Sequence, residues 1–570
     1  MLMSTEQLSP LSTTSQEACN VLADILVKNG FTNVVISPGS RNAPLTVALS
    51  RRKEICTYVV VDERSAAFMA LGMAIEQHKP TVLVCTSGSA VLNYSPAIAE
   101  AYYRKVPLIV VSADRPEPWI DQDDSQTIRQ FLALDNIVKR SYDIPSTYFS
   151  DDEKWYVNRL INDACVLSVS QPMAPVHINF HLAEPLYQTS TRSNSNSTRV
   201  VKLVESDNHL SQADIEHLAN EYNRAQRVMI IGGFYDYNEK LNKCIRQLSH
   251  DSRTVVLAET VTNIYGDDIV RTIDRCVNQL DDNTFKPDLL ITFGGALISR
   301  MVKNRLRKCN IASHWHIGTT DHLIDIVKAL TTTINVSPES FFAQLLPLIS
   351  NSDSNYHDKW KEAASTARAK HDSLLALTKW CDLKAFATII SHIKHHTLTL
   401  HASNGTPIRY LQLFGDEFTM TNYCNRGVSG IDGCTSTALG AALASSTTNL
   451  LISGDMSLTY DLGALSSNYK PDNFKIIVMM NGGGGIFRFL KGPSSLPELE
   501  KYFELNINYD IRKYADAFGY RFFSADCVES LEKELPLFLK SDCASILAIY
   551  TPKELNAKVL RDYFDNLTTN

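Results

Sequence analysis

Two short apolar runs end in polar groups that can bind a metal. Residues 450–453 lead into Gly454-Asp455, and residues 474–480 lead into Asn481 and four glycines, Gly482 to Gly485. Asp455 and Asn481 stand 26 positions apart. That spacing lets two adjacent parallel strands deliver a carboxylate and an amide to the same end of a sheet. Hard oxygen ligands of this kind suit Mg²⁺, which takes one or two carboxylates and completes its shell with substrate phosphates. Mn²⁺ accepts the same oxygen-rich octahedral arrangement. Glycines without Cβ atoms let the backbone approach a phosphate closely. The same stretch also fits a plain glycine-rich turn between two βα units, so the rest of the chain has to decide.

A second carboxylate, Glu63, stands between a strand and a helical segment in VVVDERSAAFMALGMA. There it can favour the helix dipole or face a ligand. A third set is cationic: Arg41 in SPGSRNAPL, Arg115 in SADRP, Arg300, Arg409 in NGTPIRY and Arg426 in NRGVSGIDG. A lone surface arginine is usually a solvated charge. Several of them on loops after strands suggest substrates with several carboxylates, which guanidinium forks bind bidentately. Gln126, in DDSQTIRQ, adds a neutral amide.

These groups need a scaffold of strand ends. At 570 residues the chain calls for two to four domains. Hydrophobic content of 44% and charged content of 21% describe an ordinary globular protein. The net charge of −7 implies no basic face, so nucleic acid is not an expected partner. Twelve cysteines are scattered without a C-x-x-C pair. Cys19, Cys56, Cys85 and Cys165 read as small buried hydrophobes, and a cytoplasmic location is expected. No signal peptide and no membrane span is read from the sequence.

Residues 1–12 are polar and expected to fray. A helical pattern over 14–30 stops at Gly30. Short β-branched runs at 34–37, 58–62, 81–85 and 108–112 alternate with helical patterns over 65–77 and 93–104, and a closing strand follows at 174–181. Residues 188–199 (QTSTRSNSNSTR) read as a linker. A second series has strands at 227–234, 254–259, 288–295 and 314–318, and a third at 397–401, 450–453, 474–480 and 545–550. The expected organisation is three doubly wound parallel α/β domains, 1–187, 201–350 and 383–570, joined by a polar linker at 188–200 and a connecting segment at 351–382. In such sheets ligands bind beyond the carboxyl ends of the strands.

The spacing of Gly454-Asp455 and Asn481-Gly482 resembles the thiamine-diphosphate-binding motif, in which a metal clamps the cofactor's diphosphate. A strand-end glutamate in a first domain is the other half expected of such an enzyme. It hydrogen-bonds N1′ of the aminopyrimidine, favours the imino tautomer, and so lets N4′ take the proton from thiazolium C2. SPGSRNAPL, DERSAAFMALGMA, TSGSAVLNYSPAIAEAYY, SADRPEPWIDQDDSQTIRQ and NRGVSGIDGCTSTALGAA together resemble the 2-succinyl-5-enolpyruvyl-6-hydroxy-3-cyclohexene-1-carboxylate (SEPHCHC) synthase family of menaquinone biosynthesis. The resemblance spans almost the whole chain.

It implies a pyruvate-decarboxylase-like fold. A pyrimidine-binding first domain, a middle domain without cofactor and a diphosphate-binding third domain are expected, in a homodimer or homotetramer with sites between subunits. It implies decarboxylation of 2-oxoglutarate and 1,4-addition of the succinyl carbanion to isochorismate. Glu63 carries over as the N1′ glutamate and Ile431 as the prop for the bent cofactor. Asp455, Asn481 and the Gly483 carbonyl carry over as metal ligands. Gly454, Met456, Ser457, Gly484, Gly485, Ile486 and Phe487 complete the cofactor contacts. Ser40, Arg41, Arg115, Gln126, Arg300, Asn404, Arg409, Arg426, Phe487 and Leu490 carry over to substrate. The chain departs from the pattern at Met456, where Gly is common, and at Gly482, where a second Asn is common. It also has Gly405 in place of a Ser and Arg300-Met301 in place of a Lys-Arg pair, which leaves Arg300 or Lys303 as the cation there.

Two rivals remain. Another thiamine-diphosphate decarboxylase or carboligase, such as an acetohydroxyacid synthase, acts on small monocarboxylates and needs fewer loop arginines. A catalytically silent α/β binding protein would not need Glu63, Asp455 and Asn481 together.

Overall fold

The computed structural model describes residues 12–191, 198–206, 208–490, 492–505 and 509–568. The chain divides into two compact units. One takes in the chain up to Glu205 together with Gly427–Ser446 and Asp461–Pro471. The other takes in Ser206–Arg426, Thr447–Tyr460 and the chain from Asp472 onward.

The first unit is built on a parallel six-stranded sheet. Its strands run Cys56–Val59, Asn33–Ile36, Thr81–Cys85, Leu108–Asp114, Val176–His181 and Ser141–Ile144 across the sheet. The interior strands are buried along their whole length, which is why they read as continuous apolar runs rather than alternating ones. The chain changes direction across the sheet between Asn33–Ile36 and Thr81–Cys85, and a crevice opens beyond such a switch point. Gly39 stands at this point, where a Cβ would come within 2.3 Å of the Thr86 side chain. Helix Glu17–Asn29 follows its predicted pattern and ends at Gly30 in a left-handed turn.

Helix Glu63–Gln77 starts at an Asp62 cap, whose carboxylate accepts from the backbone N–H of Arg64 and Ser65. It is buried on all sides from Ser65 to Ile75. One of those sides meets helix Cys434–Ala444 at backbone distance. A Cβ on Gly72 would lie 1.9 Å from the Thr437 carbonyl oxygen, and one on Gly440 would lie 2.0 Å from that of Met69. Because both obstacles are backbone, Gly72→Val is expected to cost about 3 kcal/mol, the upper end of core overpacking. A thermal melt that shifts by less than about 1 °C would contradict the contact.

The second unit contains two such sheets. The first runs Ile269–Val270, Thr254–Ala258, Val228–Gly232, Leu289–Phe293, Ser313–Ile317 and Thr332–Ile334. The other runs Asn422–Tyr423, Leu398–Ala402, Thr448–Gly454, Phe474–Met480, Ser545–Tyr550 and Arg521–Ala525. All pairs in both are parallel. The last sheet has the same order of strands as that of the first unit, with its switch point between Leu398–Ala402 and Thr448–Gly454. Helix Tyr356–Leu377 fills much of the segment expected to connect domains, and helix Asp382–Ile393 opens the final α/β series.

Five strands of the three large sheets escape the sequence reading: Ser141–Ile144, Ile269–Val270, Thr332–Ile334, Asn422–Tyr423 and Arg521–Ala525. All lie at sheet edges and none is longer than 5 residues; in Ser141–Ile144, Ser141 and Asp143 also interrupt the apolar run. Residues 188–200 are not wholly irregular: Thr189–Thr191 pairs antiparallel with Ser12–Thr14, so both stretches contain ordered strand. The expected fraying of residues 1–11 and the linker at 192–197 lie outside the described residues. Cys56 is exposed rather than buried, because it opens an edge strand, while Cys19, Cys85 and Cys165 are buried as expected. Among the described residues no helix is long and apolar enough to cross a membrane.

Candidate active site

Asp455 follows strand Thr448–Gly454 and opens helix Asp455–Tyr460. Its side chain is buried. One carboxylate oxygen accepts from the backbone N–H of Gly482 at 2.8 Å and Gly483 at 3.0 Å, the other from Met456 N–H at 2.7 Å. Two adjacent strands thus bring the aspartate and the glycine loop together, as their spacing requires. Gly482 and Gly483 have φ of 85° and 112°, a region that other residues enter at a cost. A Cβ on Gly483 would also lie 2.2 Å from the Glu504 carbonyl oxygen. Burial raises the Asp455 pKa, and the bonds from Gly483, Met456 and Gly482 pull it part of the way back.

Asn481 is held from the other side. Its Nδ2 donates to Asp382 Oδ2 at 2.9 Å, and Asp382 Oδ1 accepts from the Thr551 hydroxyl at 2.6 Å. Asp382 is fully buried, and that burial pushes its pKa up to about 6. Neither Asp382 nor Asp455 has an ion-pair partner among the described residues. The buried Asp455 carboxylate and the Asn481 amide oxygen are hard oxygen donors, and a divalent ion fits such a set. Among the described residues no group of three acidic, histidine or cysteine side chains is placed to hold a metal ion by itself. An ion here would therefore draw the rest of its shell from carbonyls, water and a diphosphate, as Mg²⁺ prefers. Asp382 was not singled out from the sequence; it sits at a helix start without a motif of its own. Met456 and Ser457 lie in the helix that Asp455 opens, and Ile486 and Phe487 in helix Gly485–Phe489, which Leu490 ends. The Phe487 ring lies 5.7 Å from that of Phe503.

Glu63 and Ile431 both belong to the first unit. Glu63 is the first residue of its helix and half-buried, and Oε2 accepts from Asn93 Nδ2 at 3.3 Å. Asn93 lies in TSGSAVLNYSPAIAEAYY but carried no separate signal. Glu100, from the same stretch, is buried and accepts from Gly427 N–H and Val428 N–H, each at 2.7 Å. It thereby fixes the loop that leads to Ile431.

The arginines fall into two groups, one in each unit. In the first unit, Arg41 and Arg115 come close enough that Arg115, after burial, lowers the Arg41 pKa. Arg41 is buried, donates to the Leu182 carbonyl at 2.9 Å and lies 3.3 Å from Glu184. Arg115 pairs with Asp124 at 3.2 Å and donates to the Ser125 carbonyl at 2.9 Å, while its Nε is buried without a partner. Gln126 donates to the Ser87 carbonyl at 3.1 Å. Ser40 is exposed on the same loop as Arg41. All of these lie beyond the carboxyl ends of strands in the sheet.

A buried histidine holds Arg115 by its backbone. His181 Nδ1 lies 2.5 Å from the Arg115 carbonyl oxygen and Nε2 lies 3.0 Å from Asp143. Burial pushes the His181 pKa down, but the bonds to Asp143 and Arg115 outweigh it and lift the pKa to about 9. The folded value exceeds the unfolded one of about 6.5, so the stabilisation is complete below that pH and disappears as pH rises through about 9. The melting temperature is therefore expected to fall between pH 7 and 9.5, and His181→Asn to flatten that slope. Parallel profiles for the two proteins would contradict the assignment.

In the second unit, Arg426 and Arg300 stand close enough to Arg409 to depress its pKa. Arg409 has its pKa lowered by burial first, then by Arg426, with Arg300 contributing. Lys303 is lowered by burial, and Arg426, Arg307 and Arg300 add to this against the opposite pull of Glu259. Arg426 donates to Asn404 Oδ1 at 2.9 Å, and its Nε is buried without a partner. Arg409 donates to the Gly405 carbonyl. Against these four cations stand two carboxylates, Glu259 and Asp274, so the local charge favours an anion. Arg300 is exposed and Lys303 donates to the Leu297 carbonyl at 2.8 Å, so both cations left open by the sequence belong to this group.

Known proteins resemble this chain over nearly its whole length. Residues 16–134 match the thiamine pyrophosphate enzyme, N-terminal TPP binding domain family. The chain is 41% identical to the 2-succinyl-5-enolpyruvyl-6-hydroxy-3-cyclohexene-1-carboxylate synthase of Porphyromonas gingivalis, over 96% of this chain and 97% of that protein. It is 37% identical to the Flavobacterium psychrophilum protein of the same name, over 98% and 99% of the two chains. It is 33% identical to that of Bacteroides fragilis, over 96% and 98%.

Proposed function

The chain belongs to the SEPHCHC synthase family, thiamine-diphosphate-dependent enzymes of menaquinone biosynthesis, and from that premise we propose that it decarboxylates 2-oxoglutarate and adds the resulting four-carbon unit to isochorismate. The observation that carries this substrate choice is the cluster of Arg300, Lys303, Arg409 and Arg426 in one unit, which favours substrates with more than one carboxylate. A monocarboxylate enzyme of the acetohydroxyacid synthase kind has no use for four such cations.

In this reading the pyrimidine-binding domain is 1–187, the middle domain 201–350 and the diphosphate-binding domain 383–570. Asp455, the Asn481 amide oxygen and the Gly483 carbonyl would hold Mg²⁺, or Mn²⁺ in its place, and the glycine loop would take the diphosphate. When bound, thiamine diphosphate supplies the thiazolium that accepts the electrons released with CO₂. Glu63 would exchange a proton at N1′, and Ile431 would pack against the cofactor. Arg409 and Arg426 bind carboxylates of isochorismate, with Asn404 holding Arg426 in place. Arg41, Arg115, Gln126 and Ser40 complete the substrate contacts. Phe487 and Leu490 exclude water beside them. A homodimer or homotetramer supplies the complete site, since closed symmetric assemblies are usual.

The test compares CO₂ release from 2-oxoglutarate and from pyruvate, with thiamine diphosphate and Mg²⁺ present. Release from 2-oxoglutarate alone is expected. Preferred turnover of pyruvate would move the chain to the monocarboxylate enzymes.

A further inference from the structure

We propose that Asp382 is a positioning residue for the metal, acting through the orientation of the Asn481 amide. This rests on the reading of Asn481 as a metal ligand. A primary amide has two chemically distinct corners, and only its oxygen can bind Mg²⁺. With the amide turned over, an NH₂ group would face the cation. A carboxylate can only accept hydrogen bonds, so a bond from Asn481 to Asp382 fixes the amide with Nδ2 toward Asp382 and Oδ1 away from it. That bond is 2.9 Å long and both side chains are buried, so water does not compete for it.

Asp382 is itself held from three directions. Its other oxygen accepts from the Thr551 hydroxyl at 2.6 Å, and its backbone N–H donates to Asn556 Oδ1 at 2.8 Å. Asn556 Nδ2 in turn donates to the Thr551 hydroxyl at 3.1 Å. The three residues come from the start of helix Asp382–Ile393, the end of strand Ser545–Tyr550 and the final helix. They form a closed ring of hydrogen bonds behind the glycine loop.

The test titrates Mn²⁺ into the protein with saturating thiamine diphosphate and follows free Mn²⁺ by electron paramagnetic resonance, a readout independent of turnover. Asp382→Ala and Asp382→Ser remove the acceptor and are expected to weaken Mn²⁺ binding about 10–100-fold, the usual effect of losing a partner of a metal ligand. Asp382→Asn is expected to stay within about threefold of the parent, because its oxygen can accept from Asn481 while Thr551 accepts from its NH₂. Circular dichroism identifies the folded variants. An alanine or serine variant that folds and binds Mn²⁺ like the parent overturns the proposal. So does unfolding of both, which would make Asp382 a residue of the fold rather than of the metal. If the parent binds no Mn²⁺ at all, the metal site itself is misread.

Discussion

Glu63→Gln is expected to bind thiamine diphosphate within a few-fold of the parent and to lose turnover by about 10²–10⁴-fold, the range of a general acid–base contribution. Glutamine keeps the size of the side chain and a hydrogen bond to N1′, but it cannot exchange a proton there. Asn93 still has an oxygen to donate to at position 63, so the local arrangement survives. The Asp62 cap and the buried flank of the helix do not involve the Glu63 side chain, so stability is expected to change by less than about 1 kcal/mol. Exchange of the thiazolium C2 proton with deuterium, followed by NMR, reads the step directly. Normal exchange in the variant would remove Glu63 from the chemistry.

Asp455→Asn is the second large effect. Losing a partner of a metal ligand costs 10–100-fold in affinity, so losing a charged ligand is expected to cost at least about 100-fold, or roughly 2.7 kcal/mol. Calorimetry with thiamine diphosphate and Mg²⁺ checks this. The cofactor-free protein should behave differently. Burial raises the Asp455 pKa, so its ionised form opposes folding at neutral pH. Replacing it relieves that cost and offsets a lost hydrogen bond from the loop. The melting temperature without cofactor is therefore expected to stay within about 3 °C of the parent. A variant that melts far lower yet still binds cofactor would make Asp455 structural.

Much of this was legible in the sequence for a physical reason. Strands buried on both faces leave continuous apolar runs, and parallel sheets place polar groups at one end of those runs. Residues 81–85 and 474–480 were read to their exact bounds as a result. Edge strands such as Ser141–Ile144 leave a weaker trace, since they are short and, there, Ser141 and Asp143 break the apolar run. The site residues that carry motifs, Glu63, Asp455, Asn481 and the arginines, were visible by type and spacing. The residues that orient them were not. Asp382 reaches Asn481 across 99 positions, and His181 reaches Arg115 across 66. Nothing local in the sequence encodes such a pairing; only the sheet order brings the partners together. Asn93 and Glu100 lay inside a quoted motif, but their targets, Glu63 and the Gly427–Val428 backbone, depend on packing between helices and loops.

The most direct test uses 2-oxoglutarate labelled with ¹³C at C2 to C5, together with isochorismate, thiamine diphosphate and Mg²⁺, and follows the products by mass spectrometry. The account predicts an adduct with isochorismate that carries all four labelled carbons, formed with loss of one CO₂ and about 10²–10⁴-fold more slowly with Glu63→Gln. Labelled CO₂-depleted product that never joins isochorismate, or an adduct formed only when pyruvate replaces 2-oxoglutarate, would contradict it.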